Sequence, residues 1–204
     1  MDFHISLSDK EKKELLQIAR NAIECCFEGD DSLQNKIIQC RNKLIARYSA
    51  LNVPVLKESL ACFVTLSERD DDQLRGCIGN VETRKDETLL QNIISKSIMA
   101  AFMDSRFEPL EASELSEIKI EISIVSKPRP ITFNTKEELF SLVEGKGVVL
   151  QSGFRRATLL PQVWQQLPEP PEFLSHLALK AGISAMEYEN ASYEIYEVYS
   201  FEES

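Results

Sequence analysis

Leu74-Arg75-Gly76-Cys77-Ile78-Gly79-Asn80 is the stretch around which the rest of this 204-residue chain is read. Glycine carries an entropic cost and is used where the backbone needs positive φ or where another group must come close. Two glycines three residues apart therefore predict a position at Gly76 that excludes a Cβ. Arg75 and Cys77 flank that glycine, so a cationic fork and a thiol are presented together. Upstream lie an acidic turn, Asp70-Asp71-Asp72, and the apolar run Leu60-Ala61-Cys62-Phe63-Val64-Thr65-Leu66. Such a run suits a strand covered on both faces, with Cys62 as inert core, and the turn makes it a hairpin leading into the glycine motif.

Further out, Ile118, Ile120, Ile122 and Ile124 alternate with Lys119, Glu121 and Ser123. This period of two predicts a central strand with one buried face and one polar face. Lys127-Pro128-Arg129-Pro130 ends it, because proline cannot donate to a ladder. Ser8 to Glu11 reads as a capping box opening a helix through Leu15, Ile18, Ala19, Ala22, Ile23 and Cys26, with Gly29 as the stop. A second helix spans Asp86 to Asp104, its small residues Ser97, Ala100 and Ala101 permitting a close neighbour. Thr135 to Glu138 reads as another capping box, and Gly145 and Gly147 bracket a turn into Val148-Val149-Leu150. Pro170-Pro171 opens a last helix closed by Gly182, and Tyr193 to Glu202 reads as a final strand. Asp30 to Ser59 is less regular and is expected to be a surface excursion. The class that results is α+β, a largely antiparallel sheet flanked by helices.

The balance of 33 acidic and 23 basic residues gives a net charge of -10, a field that repels phosphate backbones. Nucleic-acid binding is accordingly disfavoured. Five cysteines without CxxC spacing predict free, reduced thiols in the cytoplasm, and the adjacent pair Cys25-Cys26 is read as helix packing. Met1 to His4 lacks a basic n-region, and no apolar run approaches the ~18 residues of a membrane span, so a soluble protein with no membrane partner is expected.

For Cys77, packing or ligand lining ranks ahead of catalysis, because a catalytic thiol needs a base. Of the two histidines, His176 falls on the exposed side of its helix and His4 in a mobile terminus. Arg75 fits either recognition of a carboxylate or phosphate, or a structural ion pair. If Arg75 stood against Cys77 it would lower the thiol pKa. Asp104 and Arg106 read first as a helix cap with its ion pair, and Glu121 as a solvated or salt-bridged residue. The Gly76-x-x-Gly79 spacing matches neither a phosphate loop nor a dinucleotide fingerprint, no cluster has zinc spacing, and no cofactor is indicated.

Phe63-Val64-Thr65-Leu66, the Leu74 to Gly79 motif and Asp104-Ser105-Arg106-Phe107 together resemble the AMMECR domain, also called AmmeMemoRadiSam system protein A. Glu121-Ile122-Ser123, Leu159-Leu160-Pro161-Gln162-Val163, Phe173-Leu174 and Lys180-Ala181-Gly182 extend the resemblance from about residue 8 to 203. Ser105 and Glu108 stand where the family has prolines, Ala157-Thr158 replaces a Gly-Leu, and a tryptophan near Met186 is missing. The resemblance implies a single domain over 1–204 in two unequal lobes, with the RGCIG segment lining a cleft. It also implies a setting beside Memo-type and radical-SAM proteins.

Two functional readings result. The first is an accessory or adaptor subunit that engages such partners through Arg75, Gly76, Gly79, Asp104, Arg106, Glu121 and Gln162. The second is an enzyme acting on a small anionic ligand or protein group, with Cys77 as the reactive thiol and Arg75 binding the anion. Because no base or cofactor motif accompanies the thiol, the first is preferred.

Overall fold

The computed structural model describes residues 5–29 and 31–204. His4 lies outside them. The chain divides into two compact units, Met1–Val125 with Tyr199–Ser204, and Ser126–Val198.

The first unit is a four-stranded sheet backed by three helices. Strand β1 (Ala61–Glu68) pairs antiparallel with β2 (Leu74–Gly79) on one side and β3 (Ile118–Val125) on the other, and β8 (Val198–Glu202) flanks β3. Asp72 takes positive φ (59°) in the β1–β2 turn, so the acidic turn does close a hairpin into the motif. Cys62, Val64 and Leu66 of β1 and the four isoleucines of β3 are all at most 1% exposed. They share the face covered by α1 (Asp9–Cys25) and α3 (Leu89–Phe102). Each large aliphatic side chain so buried is worth roughly 1.5–3 kcal/mol, which makes β1 and β3 the spine of this unit.

Both helix starts follow from local chemistry. The Ser8 hydroxyl accepts the Glu11 amide (3.3 Å) while the Glu11 carboxylate accepts the Ser8 amide (2.9 Å). Thr88 and Gln91 form the same reciprocal cap on α3, so that helix begins at Leu89, three residues later than expected.

Three expectations are corrected here. The segment read as a surface excursion is largely helix α2 (Leu33–Tyr48), capped by Ser32. Its apolar stripe is narrow, with Cys40 and Leu44 the buried residues, and so gives a weak periodic signal. Not all cysteines are free: α1 and α2 bring Cys25 and Cys40 into a disulfide, with Cα atoms 5.8 Å apart. Cys26, Cys62 and Cys77 remain thiols. Finally, the C-terminal run is two strands, since Glu197 interrupts it and sends β8 into the first sheet and β7 (Ser192–Tyr196) into the second.

The second unit has strand order β4-β7-β5-β6, with β4 (Arg129–Ile131), β5 (Gly147–Ser152) and β6 (Arg155–Leu159). All three pairings are antiparallel. Pro130 is tolerated because β4 is an edge strand. Helices α4 (Lys136–Val143) and α5 (Pro170–Lys180) cover a core of Leu139, Val148, Leu150, Phe173, Leu174, Tyr193 and Ile195. Thr135 caps α4 by accepting the Glu138 amide, but the Glu138 carboxylate accepts from the Asn134 amide, so the box is half formed. The observed class is α+β, with antiparallel pairing divided between two sheets.

Candidate functional site

The face on which each motif residue lies follows from strand pairing. Residues opposite one another in an antiparallel pair share a face of the sheet. Leu66 opposes Gly76 and Val64 opposes Ile78, so Gly76 and Ile78 look toward α3. Thr65 lies opposite both Cys77 on β2 and Glu121 on β3, so these three cross the other face in a row. Neither motif glycine has positive φ. Close approach explains both: a Cβ on Gly76 would run into the Ala100 carbonyl oxygen, and one on Gly79 into the Phe63 ring.

Arg75 has its whole fork engaged. Nε donates to Glu114 Oε1 (2.7 Å), Nη2 to Glu114 Oε2 (3.0 Å) and Nη1 to the Glu108 carbonyl (2.9 Å). Its side chain is 13% exposed, and the pair holds the Glu114 carboxyl below the usual carboxylate range. This is the bidentate geometry in which arginine matches a carboxylate best, and here a carboxylate of the chain itself fills it.

Asp104, at the end of α3, ties the following loop to β2. Its Oδ2 accepts the Cys77 amide (2.9 Å) and Arg106 Nη2 (2.6 Å), and its Oδ1 accepts Arg106 Nε (2.9 Å). Arg106 Nη2 also donates to the Cys77 carbonyl (3.3 Å). These bonds, led by those from Arg106, hold the buried Asp104 carboxyl far below its ordinary range. Arg106 itself stays 54% exposed, and Arg75 and Arg106 both lie over the Phe107 ring, at 6.0 and 5.4 Å from its centre.

The expected effect of Arg75 on Cys77 is corrected. Burial pushes the Cys77 thiol up, against the Thr65 hydroxyl that donates to its sulfur (3.4 Å) and the opposing charge of Arg106. Asp104 and Glu121 add to the rise. Glu121 accepts from the Ser123 hydroxyl (3.0 Å), which also meets Ser200 Oγ at 2.8 Å. Seven of the predicted residues, Arg75, Gly76, Cys77, Gly79, Asp104, Arg106 and Glu121, thus belong to the first unit. Gln162 is exposed on a 3₁₀ turn, Pro161–Gln165, of the second. Sequence reasoning assigned no role to Glu114 and Phe107. Glu114 carries no local signal, because it meets Arg75 across 39 positions of chain.

Next to Arg75 the surface forms a depression of ≈ 280 Å³ bordered by Glu68, Arg69, Asp70, Glu114 and Glu117, and Cys77 is not in its lining. Among the described residues no group of three His, Cys, Asp or Glu could hold a metal ion, and no helix is long and apolar enough to cross a membrane. A family model described as AMMECR1 matches residues 16–203, which include every predicted site residue. The chain belongs to the AMMECR1 family. Protein MK0488 of Methanopyrus kandleri is 35% identical over 185 residues, covering 87% of this chain and 80% of its own length. A relative from Thermofilum pendens is 31% identical over 93% of this chain and 87% of its own. The crystal structure of uncharacterised protein PH0010 from Pyrococcus horikoshii matches with a TM-score of 0.79 at 26% identity, covering 97% of this chain and 94% of that one. Within this AMMECR1-family chain, the departures beside the motif leave the geometry whole. Ser105 is exposed, and Glu108 serves Arg75 through its carbonyl, which any residue supplies.

Proposed function

We propose that this AMMECR1-family chain is a non-catalytic accessory subunit. It presents β2 and the Asp104–Phe107 loop to a Memo-type or radical-SAM partner. The observation that carries this reading is the self-contained state of the motif. Arg75 is neutralised by Glu114, the Cys77 thiol is raised by burial, and the histidine of the described residues, His176, sits exposed on α5 of the other unit. A nucleophilic thiol needs a lowered pKa or an adjacent base, and the motif supplies neither. Arg106 is the residue suited to meet an anionic group on the partner. Asp104 occupies its Nε and Nη2, and the half-exposed guanidinium keeps Nη1 for a further acceptor. The partner classes rest on the family resemblance alone.

One observation favours the enzymatic reading. Arg106 charge and Thr65 donation both act to stabilise a Cys77 thiolate, although burial outweighs them. Titration of the purified full chain against purified Memo-type and radical-SAM proteins separates the two. The accessory reading expects a complex that Arg106→Ala weakens at least tenfold and that Cys77→Ser leaves intact. A system activity abolished by Cys77→Ser, with the complex still formed, would favour the enzyme. If neither partner binds, the accessory reading fails.

A further inference from the structure

Phe154 has a place in the second unit that folding does not call for. It is the second residue of the two-residue turn that joins β5 to β6, where Ser152 pairs with Arg155. Gly153 before it takes positive φ (60°) and Phe154 does not, which is the type II′ turn that suits the twist of two strands. Turn positions of this kind are usually filled by small or polar residues. Here the ring is 110% exposed, as open to solvent as in an unfolded chain.

The same residue lines a depression of ≈ 340 Å³, together with Ser152, Arg155, Ile183, Glu187 and Asn190, all of the second unit. Arg155 fastens the hairpin to the turn after α5, its Nη1 donating to the Gly182 carbonyl. The Ser184 amide donates to Glu187 Oε2 (2.9 Å), which orders the segment carrying Ile183 and Glu187. Met186, next to Glu187 in the chain, is itself exposed. Single exposed apolar residues are ordinary, but their grouping around a hollow marks an interaction surface. A cavity of about 150 Å³ already admits benzene, so this depression has room for a phenyl ring.

We infer that this patch is a self-association surface: two copies of the chain pair about a two-fold axis, and each places Phe154 in the other's depression. Self-complementarity carries the inference. Ring and hollow, cation and anion all belong to one patch, as isologous pairing requires, so every contact occurs twice and the assembly closes at two. Arg155 of each copy then meets Glu187 of the other, which fixes the register of the pair. A net charge of -10 keeps copies apart in general, whereas the one cation and one anion lining the depression cancel. Two aromatic side chains of about 150–250 Å² each, with a narrow rim, stay below the ~1,200 Å² of stable complexes, so the dimer is weak and concentration-dependent. The patch shares no residue with β2 or the Asp104–Phe107 loop, and it stands independently of the partner surface proposed above.

Sedimentation velocity of the full chain, from about 1 to about 500 μM, tests this. The expected result is a sedimentation coefficient that climbs from monomer toward dimer across that range and stops there. Phe154→Ser keeps the fold, because the ring is fully exposed, and should weaken association about tenfold or more. Arg155→Glu and Glu187→Arg should each self-associate less, since each sets like charges against one another. An equimolar mixture of those two variants should recover the dimer, because the mixed pair brings every charge at these positions against an opposite one. Near-UV circular dichroism confirms that each variant is folded, and Phe154→Ser decides alone if a charge variant is not. A wild type that stays monomeric throughout would overturn the proposal and leave the patch to a different protein. Association unchanged in Phe154→Ser, or no recovery in a mixture of folded charge variants, would overturn it equally.

Discussion

Replacing Gly76 with alanine tests the central geometric claim, that α3 lies directly on the motif. The new Cβ would fall well inside 3.0 Å of the Ala100 oxygen and 3.2 Å from the Ala100 carbonyl carbon. Both are main-chain atoms, so no side-chain rotation relieves the clash. Nor can α3 retreat freely, because Leu89, Ile93, Ile94 and Ile98 are each at most 1% exposed. Overpacking a well-packed core costs about 1–3 kcal/mol, and a backbone obstacle puts this case near the upper figure, about 3 kcal/mol. For a chain of this size each kcal/mol corresponds to about 2–4 °C, so melting of the first unit should fall by about 6–12 °C. Calorimetry, with urea unfolding at an unchanged m-value, is the assay. The double variant Gly76→Ala with Ala100→Gly should not recover, since deleting the Ala100 methyl leaves its carbonyl in place. A Gly76→Ala melting point within about 2 °C of wild type, or full rescue by Ala100→Gly, would refute the reasoning.

The remaining predictions concern titration and the thiols. Because burial raises the Cys77 thiol, alkylation of the native protein at neutral pH should be slow and should quicken only in alkali. Cys77 should still react ahead of Cys26 and Cys62, whose thiols burial pushes to about 11 and about 12; rapid labelling of Cys77 at pH 7 would contradict the geometry. Asp104 has a depressed folded-state pKa, so the stability it adds is present above its unfolded value near ~4 and is lost as pH falls through the folded value. Asp104→Asn should therefore cost about 2 kcal/mol at pH 7, with the gap from wild type narrowing below about pH 4 in urea titrations. With Cys25 joined to Cys40, thiol counting on the unfolded, unreduced chain should find three free groups, and reduction should cost about 3 kcal/mol for a loop of this length. Five thiols before reduction would remove the bond.

What could be read from the residues alone was whatever depends on near neighbours in the chain. The isoleucine alternation of β3, the Ser8 cap and the Asp70–Asp72 hairpin are each set within a few residues, and each has its expected form. The exclusion of a Cβ at Gly76 was legible too, but its cause, the Ala100 carbonyl of α3, exists only in the packed structure. Helix α2 was harder, because a helix that buries little beyond Cys40 and Leu44 needs no broad apolar stripe. The site was legible as a set of residues but not as chemistry. Whether Arg75 recognises a ligand or is already occupied depends on Glu114, brought to it from 39 positions away. The Cys77 thiol is raised rather than lowered because the desolvation of a packed strand outweighs one exposed guanidinium, and burial exists only once the sheet has formed. The disulfide likewise required two helices to bring together cysteines 15 positions apart. Periodicity is a property of the chain, whereas ion-pair choice, pKa and thiol pairing are decided by distances that packing sets.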